Sequence, residues 1–119
     1  MAKKVLVVDD AQFMRMKCRN LLKQAGYEVI EAGDGEEAVA VYKADRPDAV
    51  LLDITMPKMD GLQALEQIRK IDPHARVAML TAAGQQAVVR EAIEAGAQDF
   101  VLKPFDDARV LKAVESLLG

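Results

Sequence analysis

The stretch KVLVVDD, residues 4–10, carries four consecutive aliphatic side chains and then two adjacent aspartates. An apolar run without alternation is typical of a strand that is buried on both faces of a sheet. Charged side chains can follow such a strand where it reaches the edge of the sheet and meets water or a ligand. The stretch therefore predicts a central strand whose carboxyl end presents Asp9 and Asp10 at that edge.

Similar apolar runs recur along the chain, and segments with helical periodicity separate them. The predicted strands are KVLVVD (4–9), YEVIEA (27–32), DAVLLD (48–53), RVAML (76–80) and DFVLK (99–103). Strict alternation of strand and helix predicts an α/β fold, in which five parallel strands form one sheet and five helices cover both of its faces. The periodicity does not give the order of the strands.

Turn and capping residues support these boundaries. Gly26 and Gly96 each follow an alanine where an apolar helical pattern stops, which predicts a left-handed residue after helices one and four. Asp34, with glutamate three residues later, predicts a capping box at the start of helix two. Asp106 or Asp107 can cap helix five.

Composition limits the classes of function. A chain of 119 residues with 51% hydrophobic and 29% charged residues predicts one domain spanning residues 1–119. A net charge of −3 argues against direct binding of nucleic acid. No apolar stretch approaches the length of a membrane span, and no secretory signal precedes the first strand, so we expect a cytoplasmic protein. Cys18, the one cysteine, is expected to fill a core or helix position.

Polar residues collect at the predicted strand ends, where open parallel sheets bind their ligands. Asp53 ends strand three, Thr81 ends strand four and Lys103 ends strand five. If strands one and three are neighbours, Asp9, Asp10 and Asp53 meet, and their mutual repulsion calls for a cation. Mg²⁺ prefers such oxygen ligands. Taken singly, Asp9 and Asp10 could instead cap helix one and Asp53 could begin a turn, but the combined set favours a metal site.

The same residues suit phosphoryl transfer, which depends on positioning and charge stabilisation more than on covalent chemistry by the protein. An ionised aspartate can act as the nucleophile. Lys103 could neutralise one phosphoryl oxygen, and Thr81 could donate a hydrogen bond to another.

The motifs VLVVDD, LLDITMPKMDG, LTA and VLKPF, in this order and spacing, resemble the bacterial response-regulator receiver domain over essentially the whole chain. The resemblance implies a CheY-like, flavodoxin-like fold with strand order 2-1-3-4-5. It implies that Asp53 is the phosphoacceptor, that Lys103 and Thr81 contact the phosphoryl group, and that the Mg²⁺ ligands come from Asp9, Asp10, Asp53 and the backbone carbonyl of Thr55.

Further roles follow from the same resemblance. It implies a cis peptide between Lys103 and Pro104. Phe100 occupies the position of an aromatic switch residue, although a core aromatic is the simpler interpretation of a strand phenylalanine. Our hypothesis is that phosphorylation draws Thr81 toward the phosphoryl oxygens, that Phe100 turns into the vacated space, and that the surface of helix four, strand five and helix five changes.

The stretches DDAQFMRM and GQQAVVREAIEAGAQDFVLKPF resemble stand-alone chemotaxis-type regulators. This implies a monomer that takes phosphoryl groups from a sensor histidine kinase and acts on a protein such as the flagellar motor switch. The domain would catalyse only its own phosphorylation and dephosphorylation. Because Thr55 and Ala83 offer no carboxylate or amide to orient water, slow to moderate self-dephosphorylation is expected, and an external phosphatase could act on it.

Three other classes of protein share part of this pattern. A receiver cut from a larger regulator, for example one with a DNA-binding domain, remains open on the sequence. A Mg²⁺-dependent aspartyl phosphohydrolase would need a second acid at position 55, which is threonine, and a substrate cap. A flavin-binding electron carrier would need glycines and hydroxyls after strand one, where this chain is acidic.

Overall fold

The computed structural model describes residues 2–119, in which five strands and five helices alternate. The strands are β1 Lys4–Val8, β2 Glu28–Ala32, β3 Ala49–Asp53, β4 Val77–Thr81 and β5 Asp99–Leu102. The helices are α1 Gln12–Gln24, α2 Gly35–Asp45, α3 Gly61–Ile71, α4 Gln86–Glu94 and α5 Asp107–Leu118. Both ends of every strand therefore lie within one residue of the predicted bounds.

The five strands form one parallel sheet in the order β2-β1-β3-β4-β5. This is the order that the family resemblance implied, and it is confirmed. Because β1 and β3 are neighbours with Val8 opposite Leu52, the residues that follow these two strands lie side by side. The first requirement for a shared acidic site is thereby met.

Each central strand contributes side chains to two cores, one on each face of the sheet. In β1, Leu6 and Val8 pack into the core beneath α2, α3 and α4, while Val5 and Val7 pack into the core beneath α1 and α5. All four side chains are fully buried. The absence of alternation in the opening stretch therefore reflects helices on both faces.

The predicted helix ends are largely confirmed. Gly26 and Gly96 have φ angles of 95° and 113°, a region that favours glycine over residues with a Cβ. Both follow the helices that the sequence predicted to stop there. The Asp106 side chain accepts a hydrogen bond from the Arg109 backbone N–H and so caps α5.

The capping box predicted for α2 is only half formed. Asp34 accepts a hydrogen bond of 2.8 Å from the Glu37 backbone N–H, as expected. The Glu37 carboxylate, however, accepts from the N–H of Gly33 instead of that of Asp34, because its side chain reaches one residue further back. A complete capping box is found at α3, where Asp60 and Gln63 accept from each other's backbone N–H groups.

Cys18 lies in the core on the α1 face, as predicted, with 1% of its surface exposed. Burial raises the pKa of its thiol to about 11, so the thiolate is disfavoured at neutral pH. Among residues 2–119, no helix has both the length and the apolar character needed to cross a membrane.

Candidate functional site

Three carboxylates meet where β1 and β3 end. Asp9 and Asp10 follow β1 directly, Asp53 is the last residue of β3, and each offers an oxygen within 4.8 Å of the others. Asp9 and Asp53 expose only 1% and 7% of their surface, whereas Asp10 is exposed. The acidic cluster predicted from the sequence therefore forms, with two members inside the protein and one at its mouth.

Local hydrogen bonds fix the loop that carries Asp9. Its Oδ1 accepts from the Ala11 backbone N–H at 2.9 Å, and its backbone carbonyl accepts from the Arg15 guanidinium at 2.6 Å. Arg15 is held in turn by Glu31 of β2 at 3.1 Å. The residue that caps α1 is Ala11, which makes no side-chain cap. The alternative in which these aspartates only cap helix one is therefore wrong.

Lys103 is the cation that the fold itself supplies to this cluster. Its Nζ lies 3.0 Å from Asp9 Oδ2 and 3.2 Å from Asp53 Oδ1. Burial by itself would lower the pKa of Lys103, but the hydrogen bond to Asp9 and the charge of Asp53 outweigh it and raise the pKa. The ammonium stays charged at neutral pH and joins β5 to the ends of β1 and β3.

Asp53 remains poorly compensated despite this ion pair. Burial, and next the charge of Asp9, raise the pKa of its carboxyl from 3.8 to about 6, and Lys103 opposes the shift only in part. Asp10 adds a smaller repulsion. At neutral pH the carboxylate is therefore ionised but destabilised by burial and by the neighbouring negative charge. This state favours binding of a cation or an electrophile.

The donor set fits Mg²⁺ on two grounds. All three side chains offer carboxylate oxygens, the ligand type that a hard divalent cation prefers. One ammonium against three ionised carboxylates leaves two negative charges, which one divalent cation would balance. The residues present can therefore hold the metal that the sequence predicted.

Thr81 lies at the end of β4 with 2% of its surface exposed, beside the acidic cluster in the sheet order. Its hydroxyl donates to the side-chain oxygen of Gln85 at 3.1 Å. The side-chain nitrogen of Gln85 donates to the Thr55 hydroxyl at 2.8 Å. Sequence reasoning missed Gln85 because it considered only positions 55 and 83, and a glutamine four residues beyond Thr81 carries no recognisable signal.

The loop after Asp53 returns closely over the end of β3. The Gly61 N–H donates to the Ile54 carbonyl at 2.7 Å, and a Cβ at position 61 would lie 2.1 Å from the Asp53 carbonyl oxygen. Only glycine fits at this approach. The peptide bond between Lys103 and Pro104 is cis.

Phe100 lies outside the acidic cluster, at the surface of β5. It exposes 42% of its surface, so the interpretation as a core aromatic is wrong. Its neighbour along the strand, Leu102, exposes 52%. Together with Val89 of α4 they line a depression of about 290 Å³ that reaches Thr81. An apolar surface therefore adjoins the acidic cluster at Thr81.

Comparison with known proteins agrees with this geometry. The profile of the response regulator receiver domain matches residues 5–115. The chain belongs to this family. The chemotaxis protein CheY of Thermotoga maritima is 52% identical over 118 residues, which cover 98% of both chains. CheY of Bacillus subtilis is 51% identical over 120 aligned positions, which cover the full length of both chains.

A solved structure shows the same fold. The CheX-CheY-BeF3-Mg²⁺ complex of Borrelia burgdorferi matches with a TM-score of 0.93 and 42% identity, over 98% of this receiver domain and 90% of that chain. The predicted fold class, a five-stranded CheY-like receiver, is therefore confirmed. The family is one of signalling proteins and not a classical enzyme family.

Proposed function

We propose that this receiver domain, spanning residues 1–119, is a switch activated by phosphorylation of Asp53. In the transfer step, a carboxylate oxygen of Asp53 forms a bond to the phosphorus of a phosphohistidine on a sensor kinase. The phosphorus–nitrogen bond breaks, and the released imidazole takes a proton from water. The observation that carries the proposal is the partly buried acidic cluster that places the Asp53 carboxylate beside Lys103.

Asp9, Asp10, Asp53 and the backbone carbonyl of Thr55 would hold Mg²⁺ in this proposal. The metal, when bound, supplies charge neutralisation between the carboxylates and the incoming phosphoryl group. Asp9 is already engaged by Ala11 and Lys103, which supports a role in which it acts largely through water. Asp10 is exposed and has the freer carboxylate.

Lys103 and Thr81 would stabilise the phosphoryl group. Lys103 Nζ already lies 3.2 Å from Asp53 Oδ1, so little movement is needed for it to meet a phosphoryl oxygen on that carboxylate. Thr81 would donate its hydroxyl proton to a second oxygen. Lys103 stands in place before the reaction, which lowers the reorganisation that the transfer requires. Thr81 must first give up its hydrogen bond to Gln85.

The output would be read on the face formed by α4, β5 and α5. This face carries exposed Phe100 and Leu102, and Ile93 of α4 exposes 49% of its surface. Movement of Thr81 toward the phosphoryl group would open space for Phe100. The likeness to chemotaxis CheY proteins supports a cytoplasmic monomer that is phosphorylated by a chemotaxis-type kinase, acts on the flagellar motor switch and is reset by a phosphatase.

The phosphohydrolase alternative is disfavoured by the loops. The connection between β3 and α3, where a substrate cap would follow the nucleophile, covers only residues 54–60. Its second position is Thr55, which cannot act as the required acid. The correspondence with stand-alone CheY proteins also disfavours a regulator with a DNA-binding domain.

Mass spectrometry after incubation with acetyl phosphate and Mg²⁺ tests the proposal. The parent should gain one phosphoryl group, the Asp53→Asn variant should gain none, and EDTA should abolish the gain. An Asp45→Asn variant, changed at an exposed site at the end of α2, should behave as the parent. Full labelling of the Asp53→Asn variant would contradict the assignment. Phosphotransfer from a purified chemotaxis kinase tests the partner in a separate assay.

A further inference from the structure

The side chain of Gln85 joins the loop that follows the phosphoacceptor to the loop that begins α4. Its oxygen accepts from the Ala82 backbone N–H at 2.6 Å and from the Thr81 hydroxyl at 3.1 Å. Its nitrogen donates to the Thr55 hydroxyl at 2.8 Å. We call this set of three hydrogen bonds the Gln85 bridge.

The chemistry of the partners fixes the direction of each bond in the bridge. A backbone N–H can only donate, so the group facing Ala82 must be the amide oxygen of Gln85. Because that oxygen can only accept, the Thr81 hydroxyl must give it its proton. A hydroxyl has one proton, and Thr81 can donate it to only one acceptor at a time.

We propose that Gln85 is a positioning residue that holds Thr81 in its resting orientation and competes with the phosphoryl group for the Thr81 proton. The inference rests on the proposed function, in which Thr81 donates to a phosphoryl oxygen. That donation breaks the bond to Gln85. The bridge therefore sets how readily the site responds to phosphorylation.

The position of Gln85 links this competition to the output face. Gln85 immediately precedes α4 and is its capping residue, yet its side chain makes no capping hydrogen bond to that helix. The side chain instead folds back onto the end of β4. When Thr81 no longer donates to Gln85, fewer hydrogen bonds hold the residue that precedes α4. A change at Thr81 therefore affects α4 independently of Phe100.

Affinity for beryllofluoride, measured by calorimetry in saturating Mg²⁺, tests the inference. Gln85→Ala should bind about three- to tenfold more tightly than the parent, as expected for removal of one competing hydrogen bond. The gain in affinity should lie nearer threefold than tenfold, because the Ala82 carbonyl lies 3.3 Å from the Thr81 hydroxyl and offers it another acceptor. Gln86→Ala, the same change at the adjacent exposed residue, should match the parent.

A double-mutant cycle separates the bridge from a general structural effect. In a Thr81→Val background, Gln85→Ala should change the affinity by less than about twofold, because the shared hydroxyl is gone. Affinity for Mg²⁺ alone should stay the same, since Gln85 bonds none of the carboxylates and meets Thr55 only at its side-chain hydroxyl, not at the backbone carbonyl proposed as a ligand. Thr55→Val, which removes one end of the bridge but keeps the backbone carbonyl, should give a smaller gain and serves if Gln85→Ala does not fold.

Unchanged or weaker beryllofluoride binding by Gln85→Ala, or an equal gain in both Thr81 backgrounds, would overturn the inference. Failure of the parent to bind beryllofluoride would instead remove the proposed function, and the inference with it. Binding by the parent that Asp53→Asn abolishes, with no effect of Gln85→Ala, would leave the function intact and overturn the bridge alone.

Discussion

Replacing Asp53 with asparagine should stabilise the metal-free protein at neutral and higher pH. The pKa of Asp53 is raised from 3.8 to about 6 by burial and by the charge of Asp9. Asparagine has nearly the size of the protonated carboxyl and carries no charge, so it removes the cost of ionising this group. The acceptor carboxylate is thus expected to be retained for function at the expense of stability.

The pH dependence gives the sign and size of the effect. A carboxyl whose folded-state pKa is raised favours folding below its unfolded pKa, and this contribution is lost as the pH rises through the folded pKa. For Asp53 the loss falls between 3.8 and about 6. The difference between a pKa of 3.8 and one of about 6, at about 1.4 kcal/mol per pKa unit, gives about 3 kcal/mol. The advantage of Asp53→Asn should grow from under about 1 kcal/mol at pH 4 to about 3 kcal/mol at pH 8.

Urea denaturation in EDTA, followed by circular dichroism, measures this difference, because the chain has no tryptophan. Glu66→Gln makes the same chemical change at an exposed position of α3 and should shift stability by only a few tenths of a kcal/mol. Saturating Mg²⁺ should reduce or reverse the advantage, since it stabilises the parent by mass action. Equal stability of parent and variant at pH 8 without metal would refute the reasoning.

Three other substitutions test the same account of the molecule. Lys103→Met should destabilise the metal-free protein at pH 8 by about 2–3 kcal/mol, because the buried carboxylates lose their partner, and lowering the pH until Asp53 is protonated should recover part of the loss. Gly61→Ala should cost about 2–4 kcal/mol, because its Cβ would lie 2.1 Å from a backbone carbonyl oxygen. Tyr42→Phe should cost about 1 kcal/mol at pH 7, because it removes the 2.8 Å hydrogen bond to Asp72. That bond lowers the pKa of Asp72, so the cost should shrink as the pH falls below about 4.

Matched substitutions separate these effects from general disturbance, and the same urea assay measures all of them. Lys112→Met, at an exposed site of α5, should leave stability nearly unchanged. Gly33→Ala should be tolerated, because its Cβ would meet only the Arg15 guanidinium, 3.4 Å away, which is an ordinary van der Waals distance. If Lys103→Met and Lys112→Met were equally stable, the ion pairs of Lys103 would make no net contribution to stability. Parity between the two glycine variants would contradict the close approach, and a Tyr42→Phe cost independent of pH would contradict the bond to Asp72.

The secondary structure was predictable from the sequence because its signals are local. The apolar run from Val5 to Val8 requires burial on both faces, and Gly26 and Gly96 mark positions where a side chain would be strained. The capping box at α2 was only half right, because the Glu37 carboxylate accepts from the N–H of Gly33 and not from that of the neighbouring Asp34. Spacing alone does not choose between them.

The acidic site was predictable in its members but not in its energetics. Charged residues at the ends of buried strands name Asp9, Asp53 and Lys103. Their unequal exposure, the pairing of Lys103 with two carboxylates and the raised pKa of Asp53 depend on distances between segments far apart in the chain. The exposure of Phe100 was not predictable from its residue type. A strand phenylalanine favours the core, yet its place on the last strand leaves it exposed.

The sequence by itself determined the alternation of strands and helices, the ends of most helices and the set of polar residues at one edge of the sheet. It could do so because periodicity and backbone preference act within a few residues of each position. Tertiary structure decided the burial of each carboxylate and the meeting of Gln85 with Thr81 and Thr55. Those contacts depend on where whole loops pass one another, and a hydrogen bond across 30 residues leaves no pattern in the chain.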